Sequence, residues 1–283
     1  MPDLEPLVAR RRLVLCNVSM ATVHLEDMVP AAARSGFDAV SILGRARRSA
    51  RARGWSDADL ATLIADHGLV VDSMEAAGDW LSPPPAGPAW MDCVYGAEEY
   101  LDVAAAIGAE TVVAVHFGAP HPAPACAEAF GRFCDRAADR KLRVALEFPA
   151  WATIGDLGSA WEVVAAADRP NGGLLMDIWH HRRGGNDDSM LDRVDPGKVF
   201  GIQLSDAEAE PVGPPEADVM HRLLPGQGRL GVARLVARLD RMGVDAPVGI
   251  EVFDADLVGT GPDVAARRLY DSLESVIGAA DQP

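Results

Sequence analysis

Arg143-Val-Ala-Leu-Glu-Phe148, Gly173-Leu-Leu-Met-Asp-Ile178 and Val199-Phe-Gly-Ile-Gln-Leu204 are short apolar runs that each carry one polar residue near the C-terminal end. Such runs read as strands buried on both faces, the pattern of a parallel sheet. Five more runs flank these at 13–17, 38–43, 69–75, 111–116 and 247–253, making eight in all. The segments between them repeat every 3.6 residues: Tyr100, Leu101, Ala104 and Ala105 form one stripe, Val232, Leu235, Val236 and Leu239 a second, and Leu269, Leu273, Val276 and Ile277 a third. Ser56 is placed to cap a helix that runs through Leu60, Leu63 and Ile64 to a stop at Gly68, and Gly36 and Gly108 end others. Eight strand–helix units predict an α/β fold, a (β/α)8 TIM barrel, in a single domain over 1–283.

Composition narrows the function. With 283 residues and 49% hydrophobic content the chain can bury one large core. It has no apolar run of membrane-spanning length, and the basic cluster Arg10-Arg-Arg12 precedes only a short apolar stretch interrupted by Asn17 and Ser19. A cytoplasmic protein without membrane contact is expected. Cys16, Cys93, Cys126 and Cys134 show no C-x-x-C pairing and suit buried thiols in a reducing compartment. The net charge of −16 argues against nucleic acid as a partner. The two lysines, Lys141 and Lys198, fall before strands, where neither reaches the catalytic face of a barrel as a Schiff-base residue must.

Four strand ends carry the chemistry: Glu147, Asp177, Gln203 and Glu251, each among apolar neighbours. Three carboxylates buried on neighbouring strands repel one another unless a cation compensates them. Three carboxylates and an amide oxygen form an all-oxygen set, which points to one divalent metal ion, Mn²⁺ or Mg²⁺, with Co²⁺ as a further candidate, rather than Zn²⁺. The alternative for each residue singly is an acid paired with a neighbouring arginine.

In this order, Gly36-Phe-Asp-Ala-Val40, Leu146-Glu147, Met176-Asp177-Ile-Trp-His180, Gln203-Leu-Ser-Asp206, Arg222 before Pro225-Gly-Gln-Gly228, and Ile250-Glu251-Val-Phe253 resemble the xylose-isomerase-like barrel superfamily of sugar (phosphate) isomerases and epimerases, which includes inosose and 3-dehydroshikimate dehydratases. The resemblance spans nearly the whole chain. It implies that Glu147, Asp177, Gln203 and Glu251 bind the metal and that His180 and Arg222 face the substrate. One position departs: the isomerases and epimerases usually place histidine where Gln203 stands, while glutamine there resembles some 3-dehydroshikimate dehydratases. The expected activity is a divalent-metal-dependent isomerisation or epimerisation of a small ketose, sugar phosphate or cyclic polyol ketone through a metal-stabilised enediolate, with Glu147 and Glu251 moving the proton on opposite faces. The alternative is a metal-dependent lyase of the dehydroshikimate or inosose type, in which a β-hydroxyl leaves from the same intermediate. An abasic-site endonuclease of the same superfamily and a barrel that only binds a ligand are more distant readings.

Other residues at the expected mouth complete the picture. His180, three after Asp177, is placed to bond a substrate oxygen or shuttle a proton. His116 ends strand 4 and Glu75 ends strand 3; each lines the pocket or serves as structure. Asp206 is expected to orient Gln203 or His180. Arg182-Arg183 either binds an anionic group or is solvated. The glycines of Gly226-Gln-Gly228-Arg-Leu-Gly231 do not adjoin a strand as a dinucleotide fingerprint requires, though their amides could meet an anionic substrate oxygen. Trp80, Trp90, Trp151 and Trp179 are expected in top-face loops, and the long connections 76–96 and 205–230 in lids or substrate walls. The partner is a small polyhydroxylated molecule, and the sequence is compatible with a homo-oligomer.

Overall fold

A computed structural model describes residues 11–83, 96–185 and 187–280. Trp90, Cys93 and most of the proline-rich stretch of the 76–96 connection lie outside the described residues. Eight parallel strands close into a barrel in chain order: β1 (Leu13–Leu15), β2 (Ala39–Leu43), β3 (Val70–Ala77), β4 (Thr111–Ala114), β5 (Arg143–Leu146), β6 (Gly172–Asp177), β7 (Val199–Leu204) and β8 (Val248–Ile250). Closure comes from β1 against β8, with Leu13 opposite Val248 and Leu15 opposite Ile250. Register then sets the site. Asp177 pairs with Gln203, and Gln203 with Gly249, so neighbouring strands deliver these positions at one height. The ladder continues one residue past β5 and β8: Glu147 N–H donates to the Ala114 carbonyl at 2.9 Å and Glu251 N–H to that of Leu204 at 3.0 Å.

Strand alternation decides which side chains enter the lumen. Val112, Val144, Leu146 and Leu174 belong to the large core between strands and helices, whereas Val113, Ala145, Leu175 and Phe200 form a second, smaller cluster. Glu147 and Asp177 lie two residues beyond Ala145 and Leu175 and share their lumenal face. Two glycines make room for this inner cluster: a Cβ on Gly173 would meet Phe200 at 2.7 Å, and one on Gly201 would meet Leu175 at 2.8 Å.

The outer helices follow the expected stripes with one correction. Tyr100, Leu101 and Ala104 are buried, but Ala105 is exposed and Val103 packs in its place, because the inward face of Ala97–Ala106 falls on 100, 101, 103, 104 and 107. Ser56 starts the helix Asp57–Asp66 with a capping box, its hydroxyl accepting from Asp59 N–H at 3.0 Å while the Asp59 carboxylate accepts from Ser56 N–H at 2.8 Å. Gly36 takes φ 100° at the end of the helix Leu25–Ser35, a left-handed turn that suits glycine. Lys198 sits at the foot of the barrel, its ammonium donating to the carbonyls of Arg169 and Gly172.

Candidate active site

A cavity of about 310 Å³ opens at the C-terminal ends of the strands, lined by Glu75, Glu147, His180, Arg222 and Glu251 and walled by Phe117, Trp151 and Phe253. A larger groove of about 720 Å³ lies along the helix Leu157–Ala167, but it does not receive the strand-end acids.

Arg222 organises the centre. Its side chain is fully buried; Nη1 donates to Asp177 Oδ2 at 2.8 Å, to the Glu251 carbonyl at 3.2 Å and to Ser205 Oγ at 3.3 Å, and lies 3.5 Å from Glu251 Oε1. Nη2 lies 3.1 Å from His180 Nε2. The guanidinium carbon lies over the rings of Trp179, at 4.8 Å, and Phe253, at 5.4 Å, a placement that favours a cation. Asp177 closes β6 and caps the short helix Ile178–Arg183 that follows, its Oδ1 accepting from His180 N–H at 2.8 Å. That helical turn swings His180 back over the lumen, where Nε2 stands 3.5 Å from Glu147 Oε1 and Nδ1 accepts from Ala150 N–H at 3.3 Å.

The acids buried here outnumber the arginine that faces them. Burial, reinforced by Glu251, Asp177 and Glu75, pushes the Glu147 carboxyl well above the usual carboxylate range. Glu251 is pushed up to about 8, by burial first, against the pull of Arg222. Burial raises Glu75 to about 7. Burial acts on Asp177 in the same direction, but Arg222 and then His180 overcome it and hold that carboxyl below its ordinary value. Burial drives His180 down to about 3, so its ring is neutral.

These residues fit a divalent cation. Ligand atoms of Glu147, Asp177 and His180 lie within 4.8 Å of one another. Gln203 Oε1 is buried and has no hydrogen-bond partner among the described residues, a state that a nearby cation would relieve. Glu251 stands across Arg222 from Asp177. The geometry therefore sets His180, expected at the substrate, beside two of the expected ligands, Glu147 and Asp177, while Glu251 shares Arg222 Nη1 with Asp177 and Gln203 pairs with Asp177 in the β6–β7 register. The spacing Asp177-x-x-His180 was the sequence signal for that closeness, since a helical turn superposes i and i+3.

Several expected roles fall elsewhere. His116 does not line the cavity; its Nε2 contacts the Ala119 carbonyl at 3.0 Å and its ring packs against Trp80 and His121. Asp206 bonds to neither Gln203 nor His180 among the described residues. Its carboxylate instead accepts from the N–H groups of Ala207, Leu230 and Gly226, because the connection 205–231 turns its amides inward and they need an acceptor. Of the glycine-rich amides expected to meet a substrate oxygen, that of Gly226 is thus bonded to the chain's own Asp206, and those of Gln227 and Arg229 donate to the carbonyls of Leu224 and Ala207. Arg182 pairs with Asp188 and donates to the Leu230 carbonyl at 3.0 Å, and Arg183 pairs with Asp218 at 2.7 Å and donates to the carbonyls of Glu208 and Ala209, so both fasten the same connection. Trp151 stacks on Phe117 and meets Trp179 and His180 edge-on, giving one apolar wall; Trp80 is buried and donates to the Val115 carbonyl. Cys16, expected only as a buried thiol, lies beside Gln203, with Sγ 3.6 Å from Nε2.

The family model described as xylose isomerase-like TIM barrel matches residues 29–276, and the chain belongs to that family. Among curated relatives, an inosose isomerase of Halalkalibacterium halodurans is 29% identical over 138 residues, 48% of each chain. A 3-dehydroshikimate dehydratase of Pseudomonas aeruginosa is 28% identical over 252 residues, covering 83% of this chain and 38% of the relative. The matches thus span about half, or less, of those relatives' own length. Of solved structures, the IOLI protein with a binding zinc atom superposes with TM-score 0.84 at 19% identity, covering 96% of this chain and all of that one, and an L-ribulose 3-epimerase with TM-score 0.70 at 15% identity, covering 96% of each. At those identities the likeness is one of fold.

Proposed function

We propose that the chain is a divalent-metal-dependent isomerase or epimerase of a small polyhydroxylated ketone, of which a cyclic polyol ketone is the best-supported class. The observation that carries this reading is the convergence of Glu147 and Glu251, two carboxyls of raised proton affinity, on one cavity that also presents a neutral imidazole and a buried guanidinium. Glu147, Asp177, Gln203 and Glu251 would hold the ion, with His180 at its edge. When bound, the ion supplies Lewis-acid polarisation of an adjacent carbonyl oxygen.

The remaining work belongs to the side chains. One of Glu147 and Glu251 takes the proton α to the carbonyl; if the other returns a proton to the opposite face of the same carbon, that carbon is inverted, and if a proton goes instead to the former carbonyl carbon while the neighbouring hydroxyl gives up its own, the carbonyl moves by one position. Arg222, cationic at every working pH, holds developing negative charge on substrate oxygen. His180 offers a hydrogen bond without adding charge. The wall of Trp151, Phe117 and Phe253 suits the apolar face of a sugar or ring. The inosose isomerase relative supports the substrate class.

Gln203 favours a second reading, dehydration, in which proton removal is followed by departure of a β-hydroxyl; the long match to a 3-dehydroshikimate dehydratase supports it. Proton NMR in D₂O with Mn²⁺-loaded protein and a panel of ketoses, inososes and dehydroshikimate separates the two. Exchange of the α proton with appearance of an isomer supports isomerisation, and a product that has lost water, with a new enone from an inosose or ketose or an aromatic ring from dehydroshikimate, supports the lyase. Turnover unaffected by EDTA, or no α-proton exchange with any member of the panel, refutes the metal-dependent reading.

A further inference from the structure

We propose that Glu75 is a positioning residue that fixes the amide of Gln203 so that its oxygen, not its nitrogen, faces the metal site. The inference rests on the metal site proposed above. An amide side chain can present either end, and only the oxygen is a competent ligand. Here the choice is built in from below. Gln203 Nε2 donates to Glu75 Oε1 at 3.2 Å and contacts Cys16 Sγ at 3.6 Å, which leaves Oε1 buried and without a partner among the described residues. A flipped amide would set oxygen against the Glu75 carboxylate, acceptor facing acceptor, and turn an NH₂ toward the other ligands.

The supporting residues come from β3, from β8 and from the position that follows β1. Glu75 is itself held by Ser73, whose hydroxyl donates to Oε1 at 3.3 Å. Gly249, opposite Gln203 on β8, leaves the space that Cys16 occupies: a Cβ there would meet Cys16 Sγ at 2.8 Å and Gln203 Cγ at 3.7 Å. Glu75 also lines the cavity floor, but the contact through which it acts is with Gln203.

The test reads Mn²⁺ affinity by electron paramagnetic resonance, with circular dichroism melts to check folding. Glu75→Leu is expected to loosen Mn²⁺ about 10–100-fold, the usual effect of losing a partner that orients a ligand. Glu75→Gln keeps an acceptor oxygen without the charge and is expected to bind within a few-fold of wild type. Equal losses in the two variants would show that the charge of Glu75 matters and its orienting bond does not, which overturns the proposal; so would unchanged affinity in Glu75→Leu. Should Glu75→Leu fail to fold, the comparison passes to Gln203→Glu against the double variant E75Q/Q203E. The double variant is expected to bind Mn²⁺ at least about tenfold tighter, because an amide at position 75 would donate to the new carboxylate that Glu75 repels. Loss of charge alone acts in the opposite direction, so no gain overturns the proposal. Absence of stoichiometric Mn²⁺ binding by the wild type would instead refute the metal site itself.

Discussion

Replacing Arg222 with methionine isolates the role of the buried cation. Methionine keeps an unbranched apolar stem beside Trp179 and Phe253, so packing changes little, while the charge that contacts Asp177 at 2.8 Å and Glu251 at 3.5 Å is lost. Removing one partner of a fully buried ion pair leaves an uncompensated charge and costs about 3–5 kcal/mol. For a chain of this size that corresponds to a fall in Tm of roughly 6–10 °C. The deficit carries a pH signature. Asp177 is held below its ordinary value in the wild type, so its contribution is present above the unfolded carboxylate range and lost as pH falls through the folded value. The gap between Arg222→Met and wild type is therefore largest near neutrality and closes on acidification. A divalent ion supplies the missing charge, so Mn²⁺ is expected to restore part of the stability. The assay is urea unfolding of EDTA-treated protein across pH, repeated with Mn²⁺. A loss under about 1 kcal/mol in EDTA, or a gap that does not change with pH, would refute the view that this arginine compensates the buried acids.

Further outcomes follow from the same geometry. Wild-type protein melted with Mn²⁺ at about a hundred times its Kd is expected to gain about 2.7 kcal/mol over the EDTA-treated form, and Gln203→Leu to lose most of that gain; calorimetry checks both. Asp206→Ala strands three backbone N–H groups and frees the segment that carries Arg222, so it should lose about 2–3 kcal/mol in denaturant titration and raise KM. Gly228→Ala forces the same segment to move, since its Cβ would stand 2.3 Å from the Ala207 carbonyl oxygen and 2.5 Å from the Asp206 carboxylate, and a thermal melt should show a clear loss. Asp72, raised by burial to about 6, opposes folding once it ionises: a folded value above the unfolded one gives a contribution that is present at low pH and lost as pH rises through about 6. Asp72→Asn should therefore be more stable than wild type by about 2–3 kcal/mol near pH ~8, with the gain gone by about pH 4 in urea titrations.

The barrel was legible in the sequence because its signals are local. Each strand is a continuous apolar run, each helix repeats every 3.6 residues, and caps such as Ser56 and stops such as Gly36 are single-residue signals that need no partner from afar. The acids at the strand ends were legible for the same reason: a carboxylate in an apolar run stands out where it lies. What the tertiary structure alone decided is who meets whom. Asp206 turned to the amides of its own loop, which no spacing announces. His116 packed among aromatics outside the cavity, and Arg222, well beyond the end of β7, entered between Asp177 and Glu251. The bond from Gln203 to Glu75 joins residues 128 positions apart, and only closure of the barrel brings them together. Local pattern fixes elements because backbone geometry is periodic, whereas the contacts of a site depend on register and loop path, which are properties of the closed fold.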